Sequence, residues 1–261
     1  MQPEAPRPPQ PPAAEGGALI EVRGLRKRFG LKTVLRGLTF RAAAGEFVAL
    51  LGPNGAGKTT FLRILAGLSR PNGGEVRIAG WRLPQQAAAV RRRLGVVFHL
   101  PLLYGELTAA ENLRFFGHLY GVEALAERSD ALLHLVGLFH RRRDLVRTFS
   151  RGMQQRLAIA RALLHEPDVL LLDEPYTGLD QDASATLDQV LQRVADQGHT
   201  IIMASHQLNR VAALATRFDV LSRGRVAASR GRADLSDAEL LDFYRAALAD
   251  TPPSPAPRDG L

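Results

Sequence analysis

The chain of 261 residues contains no cysteine, which excludes disulfide stapling, thiol catalysis and cysteine-ligated metals and leaves the redox compartment open. It has no run of about 18 apolar residues, so no segment reads as a bilayer-spanning helix. The N-terminus lacks the apolar stretch of a secretory leader, and a cytoplasmic location is the simplest expectation. There is no internal repeat. Lysine is scarce, occurring only as Lys27, Lys32 and Lys58, so arginine carries nearly all of the positive charge behind a formal net charge of +8. That balance permits an anionic partner without requiring one, because solvated surface arginines are the ordinary case. With 46% hydrophobic residues, the chain can bury one large core.

Residues 52–60 read Gly52-Pro53-Asn54-Gly55-Ala56-Gly57-Lys58-Thr59-Thr60, directly after the apolar run Phe47–Leu51. A buried strand, a glycine-rich loop and a helix opening on lysine and threonine together form a polyphosphate cradle. The glycines let backbone N–H groups turn inward, and the helix start adds its positive dipole end. Lys58 reaches the outer phosphates, and the Thr59 hydroxyl is a ligand for a magnesium ion. A turn that only connected strand to helix would need neither side chain.

A second signal is Val169–Leu172, an apolar strand ending in Asp173 and Glu174. Ligands collect at the carboxyl ends of strands in open α/β sheets, so Asp173 suits a role in holding Mg²⁺ and Glu174 suits a base that polarises water. A third is the strand Thr200–Ala204, followed by Ser205 and His206, which places His206 at the same crevice. Phe149–Arg156 opens a helix that Ser150 caps, with Gly152 exposing backbone N–H groups to an anion.

The remaining pattern frames these signals. Residues 1–17 and 251–261 are proline-rich with few large apolar side chains and read as disordered tails, leaving 18–250 as the folded unit. Strands are expected at Ala18–Val22 and Val34–Phe40, an edge strand at Glu75–Ala79, and a short strand at Leu94–Phe98. Apolar residues then recur at helical spacing from Leu113 to Val136, which reads as a helical insertion over about residues 100–155. Helices over Met153–Leu164 and Ala183–Ala195, a last hairpin at Val220-Leu221 and Val226-Ala227, and a closing helix over 236–249 complete an α/β parallel sheet.

Together these motifs resemble the nucleotide-binding subunit of ATP-binding-cassette (ABC) transporters, over residues 18–230 or so. Gly52–Thr60 resembles the Walker A loop and Leu170–Glu174 the Walker B strand. Ser150-Arg151-Gly152-Met153-Gln154 resembles the signature sequence, with Arg151 and Met153 at positions where glycine and glutamine are usual. Thr177-Gly178-Leu179-Asp180 resembles the D-loop, His206 the switch histidine and Phe29 the aromatic that stacks on adenine. His99 stands where the family has its Q-loop glutamine, which weakens the usual contact with Mg²⁺ there.

The resemblance implies a P-loop (RecA-like) ABC domain with an antiparallel N-terminal β part and an inserted helical subdomain. It implies ATP and Mg²⁺ as ligands, with Thr59, Asp173 and His99 around the metal. Ser150, Arg151, Gly152, Met153 and Asp180 of one copy would close over ATP held at Lys58 of a second copy. It further implies a separate membrane-integral subunit docking near His99–Gly105, a place at the cytoplasmic face of the membrane, and no nucleic-acid partner. The strings Thr148–Arg156 and Asp173–Asp180, with His99 and Glu111–Phe115, look closest to the haem-exporter ATPase of cytochrome c maturation. Exporters of drugs, polysaccharides or other small molecules are the alternative. Soluble ABC proteins acting on nucleic acid or in iron–sulfur assembly are a further one.

Overall fold

The computed structural model describes residues 18–249; both expected tails lie outside the described residues. An antiparallel hairpin opens the fold, β1 (Ala18–Phe29) pairing with β2 (Lys32–Ala43). β1 also pairs with β4 (Gly73–Ile78), which carries β5 (Trp81–Leu83), giving a four-stranded sheet ordered β2-β1-β4-β5. The stretch 75–79 is therefore interior rather than an edge: Trp81 and Leu83, both buried, pair with Ile78 and Val76 and take the edge themselves. Three residues are too few for a visible alternation, which hides β5 from periodicity.

The second sheet holds β3 (Phe47–Leu51), β6 (Leu94–Val97), β7 (Val169–Asp173), β8 (Thr200–Ala204), β9 (Arg217–Ser222) and β10 (Arg225–Gly231), in the order β10-β9-β3-β8-β7-β6. Five strands run parallel and β10 closes the hairpin antiparallel to β9. Its central strands are buried along their whole length, as expected of a parallel sheet covered on both faces.

Alternate residues feed two separate cores. Phe47, Ala49, Leu51, Leu170, Leu172, Ile201 and Met203 face one core, and Val48, Leu50, Val169, Leu171, Ile202 and Ala204 face the other. The second core is closed by α1 (Lys58–Leu65) and the antiparallel sheet. The first and larger core takes the helical part: α3 (Ala109–Tyr120), α4 (Leu125–Leu135) and α5 (Arg151–Ala162), then α6 (Gln181–Asp196) and α8 (Asp237–Ala249). Two short helices escape the sequence pattern, α2 (Ala87–Arg91) and α7 (Leu208–Leu214). Each is under two turns, too short for a 3.6-residue period to declare itself.

Thr108 and Glu111 build the start of α3 as a capping box, Thr108 accepting from the Glu111 N–H and Glu111 accepting from the Thr108 N–H. Fully buried Asn112 binds the preceding loop, accepting from the Tyr104 N–H at 2.8 Å and donating to the Tyr104 and Thr108 carbonyls at 2.9 and 3.0 Å. Asn112 thus fixes the apolar loop at Tyr104 and Leu107 against the start of α3. Phe218 on β9 is fully buried in the larger core. Phe218→Ala is expected to destabilise the fold by about 3–5 kcal/mol, read as a lowered urea midpoint.

Candidate nucleotide site

The parallel strands open at one edge, and their register brings the expected residues together. β8 lies between β3 and β7, so the loops after all three strands meet. The Glu174 N–H donates to the Ala204 carbonyl at 2.9 Å, and the Ser205 N–H donates to the Leu50 carbonyl at 3.3 Å. The loop 52–57, Glu174 and His206 therefore share one crevice.

Loop geometry explains its glycines. Gly52 has φ +147°, and a Cβ there would fall 2.2 Å from the Leu221 carbonyl oxygen. Gly57 is left-handed at φ +112° and precedes α1 with no side-chain cap, so the first-turn N–H groups stay free for an anion. Lys58 is only 6% exposed. Its Nζ donates to the Gly52 carbonyl at 2.5 Å and stands 3.8 Å from Glu174 Oε1. Burial lowers its pKa, and the Glu174 and Asp173 carboxylates pull it back up.

The Thr59 hydroxyl donates to Asp173 Oδ1 at 3.1 Å, setting two hard oxygen donors side by side. Burial raises the Asp173 pKa, and the Thr59 bond opposes that rise. Among the described residues no three His, Cys, Asp or Glu side chains group to hold a metal. Thr59 and Asp173 fit a hard cation that takes its other ligands from phosphate and water. His99 is exposed at the end of β6, near enough to Asp173 to act on its carboxyl electrostatically.

Glu174 takes φ +52°, a left-handed conformation that an L residue adopts at a cost. The turn swings its carboxylate off the strand, where Oε2 lies 2.7 Å from His206 Nδ1. Glu174 is a quarter exposed and His206 more than half exposed, so both are open to an incoming ligand.

A cavity of about 370 Å³ is lined by Phe29, Lys32, Val34, residues 53–55 and 57–60, and Glu174; Asp173 and His206 adjoin that lining, bonded to Thr59 and Glu174. Phe29 sits at the tip of the β1–β2 hairpin and is 52% exposed, so it belongs to no core; Lys27 Nζ lies 4.6 Å from its ring centroid. Lys32 and Val34 join the lining without having been singled out in the sequence. The scarcity of lysine was a signal for the first of them. All three lysines of the chain gather here: Lys58 and Lys32 in the lining, Lys27 over the Phe29 ring.

Residues 150–153 and Asp180 line no part of this cavity. Ser150 caps α5, accepting from the Met153 N–H at 3.3 Å, and Asp180 caps α6, accepting from the Ala183 N–H at 2.7 Å. The two helix starts touch: a Cβ on Gly152 would meet Ala183 Cβ at 2.8 Å. Arg151 does not simply extend into solvent. Its Nε lies where a Cβ on Gly178 would be 2.8 Å away, so the guanidinium stem covers the 177–180 turn. The Met153 side chain packs half-buried against the larger core.

A phosphate loop, an adjacent Thr59–Asp173 pair and a Glu174–His206 pair on a parallel sheet define a P-loop nucleoside triphosphatase. The ABC transporter family profile matches residues 35–177, and the chain belongs to that family as an ATP-binding subunit with ATPase chemistry. It is 39% identical over 220 residues to the Nod factor export ATP-binding protein I of Ralstonia nicotianae, covering 83% of this chain and 68% of that one. It is 33% identical over 219 residues to the linearmycin resistance ATP-binding protein LnrL of Bacillus subtilis, covering 83% and 70%. Among solved structures, a dimeric ATP-binding cassette in a post-hydrolysis state bound to ADP and Pi superposes with a TM-score of 0.73 at 28% identity, covering 82% of this chain and 98% of that one. The names of these relatives concern Nod factor export and linearmycin resistance, so they support an exporter ATPase and lend no support to the finer resemblance to haem exporters. Short strings around the shared catalytic loops carry little about cargo, because every branch of the family needs those loops for the same chemistry.

Proposed function

We propose that this chain drives an exporter of small molecules, two copies closing around two ATP molecules at the cytoplasmic face of a membrane. The observation that carries the reading is the division of the site. Lys58, Thr59, Asp173, Glu174 and His206 are joined by direct contacts, Thr59 to Asp173, Lys58 to Glu174 and Glu174 to His206, while Ser150 and Gly152 contact only the starts of α5 and α6 and none of those five. One chain thus holds a nucleotide that only a second copy's α5 start can cover, which is the isologous arrangement of a two-fold dimer.

In the closed dimer Lys58 and the loop N–H groups bind the phosphates, and Phe29 stacks on the adenine. Thr59 and Asp173 would hold Mg²⁺, with His99 beside them, and the bound ion would neutralise charge on the phosphates. Glu174 accepts a proton from the attacking water, and His206 holds Glu174 and faces the γ-phosphate. Closure excludes water from the site, and hydrolysis allows it to reopen.

Cargo passes through a separate subunit, since among the described residues no helix is long and apolar enough to cross a membrane. Its dock is a groove of about 610 Å³ beside the loop 100–104, walled by Leu68, Leu94, Phe98, Leu102, Leu103 and Phe116. Leu100, Leu102 and Tyr104 are each at least half exposed there. Placing Asp at Leu102 is expected to free the chain from its membrane subunit on detergent extraction while ATP binding is unchanged. Retention of the complex would exclude the groove as the dock.

Export is tested by co-purification with the membrane subunit and by ATP-driven transport in proteoliposomes offered Nod factor, linearmycin or haem as cargo. Salt-sensitive binding to DNA or ribosomes without a membrane partner would overturn the reading.

A further inference from the structure

Two loops must meet for Glu174 and His206 to act together, and each is tied to the sheet by a single backbone bond near its start, Glu174 to Ala204 and Ser205 to Leu50. Beyond those bonds the chain needs another way to hold the 2.7 Å contact between the two side chains. Tyr176 follows Glu174 by two positions, and Arg210 follows His206 by four, in the first turn of α7. Both reach the same carboxylate. The Tyr176 hydroxyl donates to Asp188 Oδ1 at 2.6 Å, and Arg210 donates to Asp188 Oδ2 at 3.0 Å. The Arg210 guanidinium also lies 5.6 Å from the Tyr176 ring centroid.

We propose that Tyr176, Asp188 and Arg210 form a clamp that sets the distance between Glu174 and His206, the three serving as positioning residues for ATP hydrolysis. The proposal rests on the reading of Glu174 and His206 given above. Asp188 is a fixed post, because α6 buries Leu187, Val190, Leu191 and Val194 on either side of it. Each of its two oxygens takes one loop, so the carboxylate acts as a shared anchor. Tyr176 is almost fully buried, and burial together with its bond to Asp188 raises the phenol pKa, so the hydroxyl remains a donor. The Arg210–Asp188 pair is only about a quarter exposed on each side, so losing Arg210 leaves a largely buried carboxylate short of a partner, and Tyr176→Phe is the variant that separates positioning from folding. A shift of about 1 Å in such a contact costs on the order of a hundredfold in rate, so partial loosening registers in turnover.

The test is steady-state phosphate release by the full chain, measured against ATP concentration. Tyr176→Phe and Arg210→Met are each expected to lower kcat about 5–20-fold with KM for ATP within about twofold. Arg210→Lys is expected to recover half or more of the loss, and the double variant to be no worse than the poorer single one, as for residues of one unit. Tyr176→Phe removes one oxygen, so it keeps the question open should Arg210→Met fold poorly. Unchanged kcat in both variants, or a fall in kcat matched by a proportional rise in KM, would overturn the clamp. His206→Ala and Glu174→Gln serve as references. If those two keep full turnover, the site reading falls and the clamp with it; if they lose turnover and the clamp variants do not, only the clamp falls.

Discussion

Glu174→Gln is expected to lower ATP turnover by about 10² to 10⁴-fold while leaving ATP affinity within about threefold. The amide keeps the volume and can still bond His206 Nδ1, which lies 2.7 Å from Oε2. What it loses is the capacity to take a proton from water. Binding is spared because Glu174 is an anion 3.8 Å from Lys58 Nζ and would face the phosphates; removing its charge relieves repulsion rather than removing an attraction. The variant is therefore also expected to accumulate as an ATP-bound dimer, seen as an ATP-dependent shift in size-exclusion chromatography. Turnover within a few-fold of the parent would show that another group activates the water. Turnover lost without any ATP-dependent dimer would contradict the sandwich.

Lys58→Ala is expected to act one step earlier, weakening ATP binding by about 2–5 kcal/mol, roughly 30-fold to several thousand-fold in Kd. Lys58 is a buried cation whose hydrogen bonds go to the carbonyls of its own loop, so it stands preorganised for a phosphate. Because burial lowers its pKa, the fold carries this charge at a cost that the Asp173 and Glu174 carboxylates only partly offset. Deleting the ammonium is accordingly expected to leave the melting temperature of the nucleotide-free chain unchanged or slightly raised. Isothermal titration with ATP and a thermal scan separate the two effects. Undiminished ATP affinity would exclude Lys58 as the phosphate ligand. The two variants together distinguish a site that cannot bind from one that binds and cannot fire.

Cargo specificity is where sequence and relatives part. The residues that suggested haem export are Thr148–Arg156, Asp173–Asp180, His99 and Glu111–Phe115, and the relatives that share this fold are named for other cargoes. If the groove at Leu102 and Phe116 is the proposed dock, its apolar lining bears on the partner subunit rather than directly on what is carried.

Much of the catalytic edge was legible because its signals are local. The run Phe47–Leu51 ahead of Gly52–Thr60, the run ending in Asp173-Glu174 and the run before His206 each state a buried parallel strand and what stands at its end. Side-chain chemistry at fixed offsets, such as Lys58 beside Thr59 or Ser150 capping Met153, also follows from spacing along a helix start. What spacing leaves open is everything that depends on strand order and on which way a side chain turns. Only β8 lying between β3 and β7 brings Glu174 within 2.7 Å of His206, since 32 positions of sequence separate them. Only the hairpin turn exposes Phe29 over the cavity rather than in a core, and only the contact of α5 with the 177–180 turn lays Arg151 on Gly178. The sequence by itself determined the nucleotide chemistry, because phosphate binding needs residue types at short fixed intervals. Which distant groups share one site follows only from the tertiary structure, because strand register and helix packing, not chain distance, set those separations.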